Sequence, residues 1–318
     1  MAMRRKHTSG ATSSASPYPA SVASAMGSVK EFAMNKSLGQ HLLTNPQILD
    51  AIVKKAELRS TDTVLEIGPG TGNLTVRLLA KVKKVIAVEF DPRMVAELQK
   101  RVMGTPFQNK LEIIVGDAIK VDYPRFDVCV ANTPYQISSA LTFKLLCHRP
   151  SFRSAVLMFQ REFAMRLLAK PNDELYCRLS VNCQLLSKVT HIIKVGKGNF
   201  RPPPKVDSSV VRLVPFDPPP PVDFEEWDGL VRLCFNRKNK TLGAIFRTAS
   251  VLKLLEGNLK TFYAMEGKEM PADLPPIKEM VTNILESNEF ISARSRKLEL
   301  EDFLRLLACF NKEGLHFK

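Results

Sequence analysis

The sequence contains no apolar run approaching 18 residues, the length that a membrane-spanning helix needs. It also contains no Cys-x-x-Cys pair, and most of its six cysteines lie within apolar stretches. We therefore expect no transmembrane helix, no metal site and no disulfide framework. The pattern indicates reduced core thiols in an intracellular protein.

Acidic residues are absent from residues 1–30, a segment rich in serine and alanine with Arg4, Arg5 and Lys6 near its start. Because such a composition cannot form a core, residues 1–33 are predicted to be a disordered basic tail. Two further interpretations stay open. One is an arm for RNA contact or nuclear targeting, and the other is an organellar transit peptide, which is also rich in arginine and poor in acids.

Acidic residues are in deficit across the whole chain of 318 residues, with 32 Asp and Glu against 46 Lys and Arg. The formal net charge is +14. A balance of this size favours a polyanionic partner, with nucleic acid ahead of an anionic membrane surface. The alternative is a basic enzyme without such a partner.

Short apolar runs alternate with amphipathic segments in the first two thirds of the chain. The runs predict strands at 63–67, 85–89, 111–115, 126–131 and 155–159. The segments predict helices at 46–58, 71–80, 92–103, 137–147 and 162–168. This alternation predicts a parallel sheet with helices on both faces. Further strand-like runs at 189–195 and 206–214 predict an antiparallel edge on that sheet.

A run of four prolines at 218–221 predicts a stiff linker, and the periodicity after it is helical. The predicted helices there are 224–236, 242–247, 251–259, 277–287 and 300–310. The sequence thus predicts an α/β domain over residues 34–217 and a small all-helical domain over residues 222–318.

A glycine-rich turn follows the first predicted strand, in the sequence Glu66-Ile67-Gly68-Pro69-Gly70-Thr71-Gly72. Such glycines let the backbone approach a ligand and expose amides at the start of a helix. The dinucleotide fingerprint requires a third glycine where this chain has Asn73. The missing glycine and the acid Glu66 together favour S-adenosylmethionine, which has no pyrophosphate and whose ammonium suits a carboxylate. The predicted sheet is therefore the Rossmann-like sheet of an S-adenosylmethionine-dependent methyltransferase.

Two more acids end the next two predicted strands. Glu89 lies where a carboxylate can accept both ribose hydroxyls, and Asp117, followed by Ala118, lies where one can accept from an adenine amino group. Alone, either acid is as well explained as a helix cap or a solvated residue. Three acid-bearing strand ends on one sheet edge favour the cofactor interpretation.

The fourth strand end carries the residues Asn132, Thr133, Pro134 and Tyr135. The Asn132 side-chain carbonyl and the Thr133 main-chain carbonyl can accept both N–H bonds of an exocyclic base amine, which orients that amine toward a methyl group. Pro134 fixes the turn, and Tyr135 can stack on a base that has left its helix. In the alternative interpretation, Asn132 caps the helix that starts near Ile137 and Tyr135 is ordinary packing.

Basic side chains are spread over a proline-rich loop and the helical domain. They are candidates for contact with RNA phosphates, which need charges on one face and no strict spacing. The alternative is a solvated charged face. The candidates are Lys197, Arg201, Lys205, Arg237, Lys238 and Lys240.

Taken together, these motifs resemble those of the rRNA adenine N6,N6-dimethyltransferases, to which the bacterial kasugamycin-resistance enzyme belongs. The later motifs are similar to the eukaryotic, nucleolar branch that acts on 18S rRNA, and the resemblance extends from about residue 34 to the C-terminus. The strings that carry it are Gly39-Gln40-His41, Glu66 to Gly72, Gly116-Asp117, Asn132 to Tyr135, Met158 to Phe163, Leu175 to Ser180, Asn199 to Val206, Glu226 to Leu230 and Arg237 to Lys240.

The resemblance implies dimethylation of two adjacent adenosines in the 3′-terminal hairpin loop of small-subunit rRNA. It also implies a role in pre-rRNA processing and 40S assembly, a pre-40S partner and a nucleolar location. A monomer on RNA is the default expectation, since the sequence does not report the oligomeric state. An assembly factor that acts mainly by binding is one alternative. An organellar methyltransferase or transcription factor, in a mitochondrion or another organelle, is another.

The resemblance also implies cofactor contacts, some of which the residue patterns alone do not single out. Only the family pattern identifies His41 as a cofactor contact, because its own sequence context indicates a core or capping histidine. The family usually has Leu or Ile at the position of Thr133. Activity is expected to survive this departure, because Thr133 contributes its main-chain carbonyl whatever its side chain, and whether the hydroxyl alters the second methylation stays open. The expected cofactor-binding residues are Gln40, His41, Leu43, Glu66, Gly68, Gly70, Glu89, Asp117, Ala118 and Asn132.

Overall fold

The computed structural model describes residues 41–271 and 273–318. Among them, seven strands form one sheet in the order β4-β3-β2-β5-β6-β9-β7. The two remaining strands in this part of the chain, β1 and β8, pair with each other. The strand bounds are β1 Leu42–Leu43, β2 Thr63–Ile67, β3 Lys84–Glu89, β4 Leu111–Val115, β5 Val128–Asn132, β6 Ser154–Gln160, β7 Ser187–Val195, β8 Phe200–Arg201 and β9 Ser208–Pro215.

The strands from β4 to β6 pair in parallel, and β9 joins β6 and β7 antiparallel. The predicted parallel sheet and its antiparallel edge are therefore confirmed. Alternate side chains enter two different cores, so that Val64 lies in one and Leu65 in the other. Because successive strand residues point to opposite faces, the continuous apolar runs reflect a sheet that is covered on both sides.

Helices cover the sheet and continue beyond it. The bounds in the α/β region are α1 Pro46–Lys55, α2 Thr75–Leu79, α3 Pro92–Val102, α4 Ser138–Cys147, α5 Arg161–Leu168 and α6 Arg178–Leu186. The later helices are α7 Phe224–Asn236, α8 Leu242–Phe246, α9 Ala249–Met265, α10 Ile277–Ser287 and α11 Leu300–Lys312. The helix predicted from residue 71 begins only at Thr75, because the glycine turn occupies the residues before it.

A separate core lies among the later helices and is centred on the buried Trp227. Its indole nitrogen donates to Asn182 Oδ1 at 3.0 Å, and Asn182 belongs to α6. Val181 and Leu185 of α6 also enter this core. The α6 helix, which the sequence pattern did not predict, therefore packs with the later helices, while the domain boundaries at 217 and 222 stay a prediction.

No helix in the described ranges is long and apolar enough to cross a membrane. The six cysteines are free thiols, and Cys129, Cys183 and Cys234 are buried. Burial raises the pKa of all three thiols far above the ordinary value, so they act as small apolar groups in the core.

Candidate active site

The glycine turn after β2 has a backbone shape that depends on glycine. Gly70 and Gly72 have φ values of +56° and +84°, which side chains with a Cβ rarely adopt. A Cβ on Gly70 would lie 2.9 Å from a methyl carbon of Leu42, and one on Gly72 would lie 2.6 Å from Leu98. The turn is therefore packed tightly between β1 and α3.

Asn73 occupies the position at which a dinucleotide site needs glycine. Its side-chain nitrogen donates to the Leu43 carbonyl at 3.0 Å, and its side-chain oxygen accepts from Arg101 Nη1 at 2.8 Å. A glycine could make neither bond. Asn73 thus ties the glycine turn to the segment of residues 41–45, which we call the strap.

The Glu66 carboxyl is 1% exposed, and its Oε2 atom has no hydrogen-bond partner among the described residues. Burial raises the pKa of Glu66 to about 8, and the nearby Glu89 carboxylate adds to the rise. An unpaired acceptor of this kind, on the wall of a cavity, fits a ligand that brings a positively charged donor. The ammonium of S-adenosylmethionine is such a donor, so the residues present fit this cofactor.

The Glu89 carboxylate is 7% exposed and is held by main-chain amides. Its Oε1 accepts from the amides of Phe90 and Asp91, both at 2.9 Å, and its Oε2 accepts from the Gly70 amide at 3.0 Å. Burial raises the pKa of Glu89. Because each carboxylate oxygen can accept two bonds, Oε2 keeps capacity for a hydroxyl group of a ligand.

Asp117 begins a loop after β4 that is held from another element. The Asp117 Oδ1 atom accepts from the Ile119 amide at 2.9 Å. Lys144, on α4, donates to the carbonyls of Ile119 and Val121, and its ammonium lies 4.3 Å from the Tyr123 ring centroid. The loop that carries Asp117 and Ala118 is therefore anchored to the helix that follows residues 132–135.

Asn132 is the last residue of β5, and its amide nitrogen donates to the His41 main-chain carbonyl at 3.0 Å. A carbonyl can only accept, so this bond determines which end of the amide faces His41. The Asn132 side-chain oxygen is then left for the cavity. The alternative in which Asn132 caps a helix is wrong, because α4 begins after Ile137 without a side-chain cap.

Residues 133–135 continue the wall of the cavity. The Thr133 amide donates to the Met158 carbonyl at 3.2 Å, while its buried hydroxyl has no hydrogen-bond partner in the part of the chain that the structure describes. Pro134 precedes a single 3-10 turn, Tyr135–Ile137. The Tyr135 hydroxyl lies 2.7 Å from Ser208 Oγ, and its ring centroid lies 5.9 Å from that of His41.

These residues line one cavity of about 280 Å³ at the carboxyl edge of the parallel strands. It contains every predicted catalytic and cofactor residue that the structure describes; Gln40 lies outside the described residues. We call Glu66, Glu89, Asp117 and Ala118 the acidic half of the cavity, and His41 with residues 132–135 the amide half. Sequence reasoning missed Phe90 as a lining residue, although an aromatic directly after the acid Glu89 was the available signal.

The predicted RNA contacts fall into two groups. Lys197, Arg201 and Lys205 are exposed on the loop that contains β8, and Arg237 and Lys240 are exposed on the loop after α7. Lys238 differs, because its ammonium donates to the carbonyls of Glu174 and Tyr176 at 2.6 and 3.3 Å. That side chain therefore connects two parts of the fold, and its contact with RNA phosphates stays a prediction.

Comparison with known proteins agrees with this arrangement. The family described as ribosomal RNA adenine dimethylase matches residues 31–285. A probable dimethyladenosine transferase of Dictyostelium discoideum is 65% identical over 289 residues, covering 91% of this chain and 92% of the relative. A dimethyladenosine transferase of Saccharomyces cerevisiae is 53% identical over 318 residues and covers 98% of each chain.

A solved structure gives the same result for the fold. The crystal structure of a dimethyladenosine transferase from Plasmodium falciparum has a TM-score of 0.81 and 49% sequence identity, covering 87% of this chain and all of that chain. The glycine turn, the three acid-bearing strand ends and the oriented Asn132 amide are thus found in a chain whose sequence and fold match one group of enzymes. The chain belongs to the ribosomal RNA adenine dimethylase family and is a methyltransferase.

Proposed function

We propose that the protein dimethylates N6 of two adjacent adenosines in the 3′-terminal hairpin loop of 18S rRNA, with S-adenosylmethionine as the methyl donor. Support comes from eukaryotic relatives named dimethyladenosine transferase, which are 53–65% identical to this chain. The net charge of +14 also supports a polyanionic substrate. The observation that carries the proposal is the orientation of the Asn132 amide, whose oxygen is left for the cavity by the bond to His41.

The acidic half would hold the cofactor. Glu66 would accept from the methionyl ammonium, Glu89 from one ribose hydroxyl through Oε2 and Asp117 from the adenine amino group. S-adenosylmethionine supplies an electrophilic methyl group when it is bound. Because main-chain amides already fix the Glu89 carboxylate, little rotational freedom is lost when a hydroxyl binds to it.

The amide half would hold the adenine amine. The amine is a weak nucleophile, since its lone pair is delocalised into the ring. Asn132 Oδ1 and the Thr133 main-chain carbonyl would accept its two N–H bonds and direct the developing lone pair toward the methyl carbon. These two oxygens also stabilise the positive charge that grows on nitrogen, before the proton leaves to solvent. Tyr135 would stack on the flipped base.

The test is replacement of Asn132 with alanine, followed by mass spectrometry of the rRNA 3′ hairpin after incubation with immature small subunits. Loss of one acceptor for the developing charge is expected to slow methyl transfer about 100-fold or more. Full dimethylation by the Asn132→Ala protein at the wild-type rate would contradict the mechanism. The exposed Asn236→Ala change, at the end of α7, is the matched control.

We also propose a role in pre-rRNA processing and 40S assembly, as a monomer in the nucleolus. The +14 charge favours a second candidate, in which RNA binding matters more than catalysis. A Glu89→Ala protein separates the two in cells that lack the chain: restored growth without dimethylated rRNA means that binding suffices for viability. Imaging of the tagged full-length chain distinguishes the nucleolus from a mitochondrion or another organelle.

A further inference from the structure

Ser208 does not line the cavity, but its side chain contacts Tyr135 of the amide half. Its Oγ is 2.7 Å from the Tyr135 hydroxyl, although the two residues are 73 positions apart. Ser208 is fully buried and begins β9, where it pairs with Gln160 of β6 on one side and Val195 of β7 on the other. Its main chain is therefore fixed by two neighbouring strands, and its hydroxyl has a defined position.

Tyr135 is also supported by the strap. The His41 ring is 5.9 Å from the Tyr135 ring, and His41 Nδ1 donates to the Pro202 carbonyl at 2.9 Å. Pro202 and Ser208 flank the loop that bears Lys205. One segment of chain thus supports the tyrosine at its hydroxyl and, through His41, beside its ring.

We propose that Ser208 is a positioning residue for the methyl transfer, because its hydrogen bond holds the Tyr135 ring in the orientation needed to stack on the target base. This inference rests on the proposed function. A tyrosine that served only as packing would need no defined rotation, whereas a stacking surface must present its face to the base at a set angle. The bond fixes the hydroxyl end of the ring, so removal of either partner lets the ring swing about its Cα–Cβ bond away from the stacking position.

The experiment is a double-mutant cycle with Ser208→Ala, Tyr135→Phe and both changes together, in the full-length protein. Each change removes the same hydrogen bond from a different side. We expect each variant to lower kcat for methyl transfer to rRNA by about five- to tenfold, which is the loss typical of one hydrogen bond. The double variant should lose no more than either single one, since the bond can be lost only once. Additive losses, or an unchanged kcat in Ser208→Ala, overturn the proposal.

Ser209→Ala is the matched control. Ser209 is also buried in β9, but its hydroxyl lies 3.3 Å from His191 Nε2, away from Tyr135. The kcat of the Ser209→Ala protein should equal that of the wild type. Affinity for S-adenosylmethionine should stay within about twofold in Ser208→Ala, because the acidic half is untouched. If Ser208 served only the stability of the fold, Ser208→Ala would lower the unfolding temperature, and kcat and cofactor affinity would fall together.

A second measurement does not depend on the substrate. In protein with 13C-labelled tyrosine rings, the Tyr135 signal among the five tyrosines is the one that disappears in Tyr135→Phe. We expect that signal to shift and broaden in Ser208→Ala and to stay unchanged in Ser209→Ala. An unchanged Tyr135 signal in Ser208→Ala overturns the positioning role. A wild-type protein that leaves the hairpin adenosines unmethylated overturns the proposed substrate instead, and the ring signal still decides the role of Ser208.

Discussion

The two halves of the cavity are built differently. In the acidic half, the bonds that fix Glu89 come from residues one, two and 19 positions away. In the amide half, Asn132 is fixed by a residue 91 positions away, and His41 by one 161 positions away. The acidic half therefore follows from the local geometry of consecutive strand ends, whereas the amide half needs three distant segments to meet.

This difference separates two kinds of sensitivity to mutation. A change in the acidic half removes a ligand-binding group but leaves the surrounding backbone in place. A change in a residue that supports the amide half shifts the ligand-binding groups themselves, although that residue need not touch a ligand. Substitutions in the acidic half should therefore lower cofactor affinity, whereas substitutions among the supports of the amide half should lower kcat.

Replacing Glu89 with alanine is expected to weaken S-adenosylmethionine binding about 100-fold, because a charged acceptor of a ribose hydroxyl bond is removed. Isothermal titration calorimetry measures the affinity. Glu89→Gln should not restore it, since its amide nitrogen would face main-chain donors. The exposed Glu112→Ala is the control, and equal losses in both variants would argue against a specific role of Glu89.

The pH dependence of cofactor affinity follows from the raised pKa of Glu66, which is about 8. Below that pH the carboxyl is protonated and must lose its proton to accept an ammonium. We therefore expect affinity to fall by about tenfold per pH unit between pH 7.5 and 6, with release of about one proton on binding. Calorimetry in buffers of different ionisation enthalpy measures that release, and Glu66→Gln should abolish it.

The Glu66 carboxyl also makes the stability of the ligand-free protein depend on pH, in the direction opposite to that of cofactor affinity. Because folding raises the pKa of Glu66 from its ordinary value to about 8, stability is highest below the ordinary value and falls as pH rises toward 8. Glu66→Gln should therefore raise the unfolding temperature more at pH 8 than at pH 5. An equal rise at both pH values would show that burial of the charged Glu66 carboxylate does not lower the stability at pH 8.

The basic loops allow a test outside the cavity. Alanine at Lys197, Arg201 or Lys205 should weaken RNA binding a few-fold and lower the salt slope of log Kd by about one for each phosphate that the side chain neutralises. Lys238→Ala should instead lower the unfolding temperature, because its ammonium bonds two carbonyls of the fold. Fluorescence anisotropy over a salt series measures the slopes, and an unchanged slope in all three loop variants would remove this loop from the RNA interface.

Thr133→Val has the smallest expected effect on folding. It removes a buried hydroxyl that has no hydrogen-bond partner within residues 41–271 and 273–318, so we expect a gain of about 1 kcal/mol in the free energy of unfolding. Thr142→Val is the matched control, because the equally buried Thr142 hydroxyl donates to the Ser138 carbonyl at 2.7 Å. That variant should lose stability. The ratio of monomethyl to dimethyl adenosine made by Thr133→Val tests whether the hydroxyl alters the second transfer.

The acidic half was predictable because its residues end consecutive strands, and the apolar runs locate those ends. The pairing of β1 with β8 was not, since each strand has two residues and each depends on the other across the chain. Ser208 left no local signal for the same reason. The helix Arg178–Leu186 was missed because its side chains are buried on most sides and show little amphipathic periodicity.

The pairing of the strap with β8 has a consequence for the timing of synthesis. A chain leaves the ribosome from its N-terminus, and local structure forms before long-range contacts. Glu66, Gly70 and Glu89 can meet early, while His41 must wait for Pro202. We expect a nascent chain to complete its cofactor side while the base side is still open, so that methylation of rRNA begins only after most of the enzyme has been made.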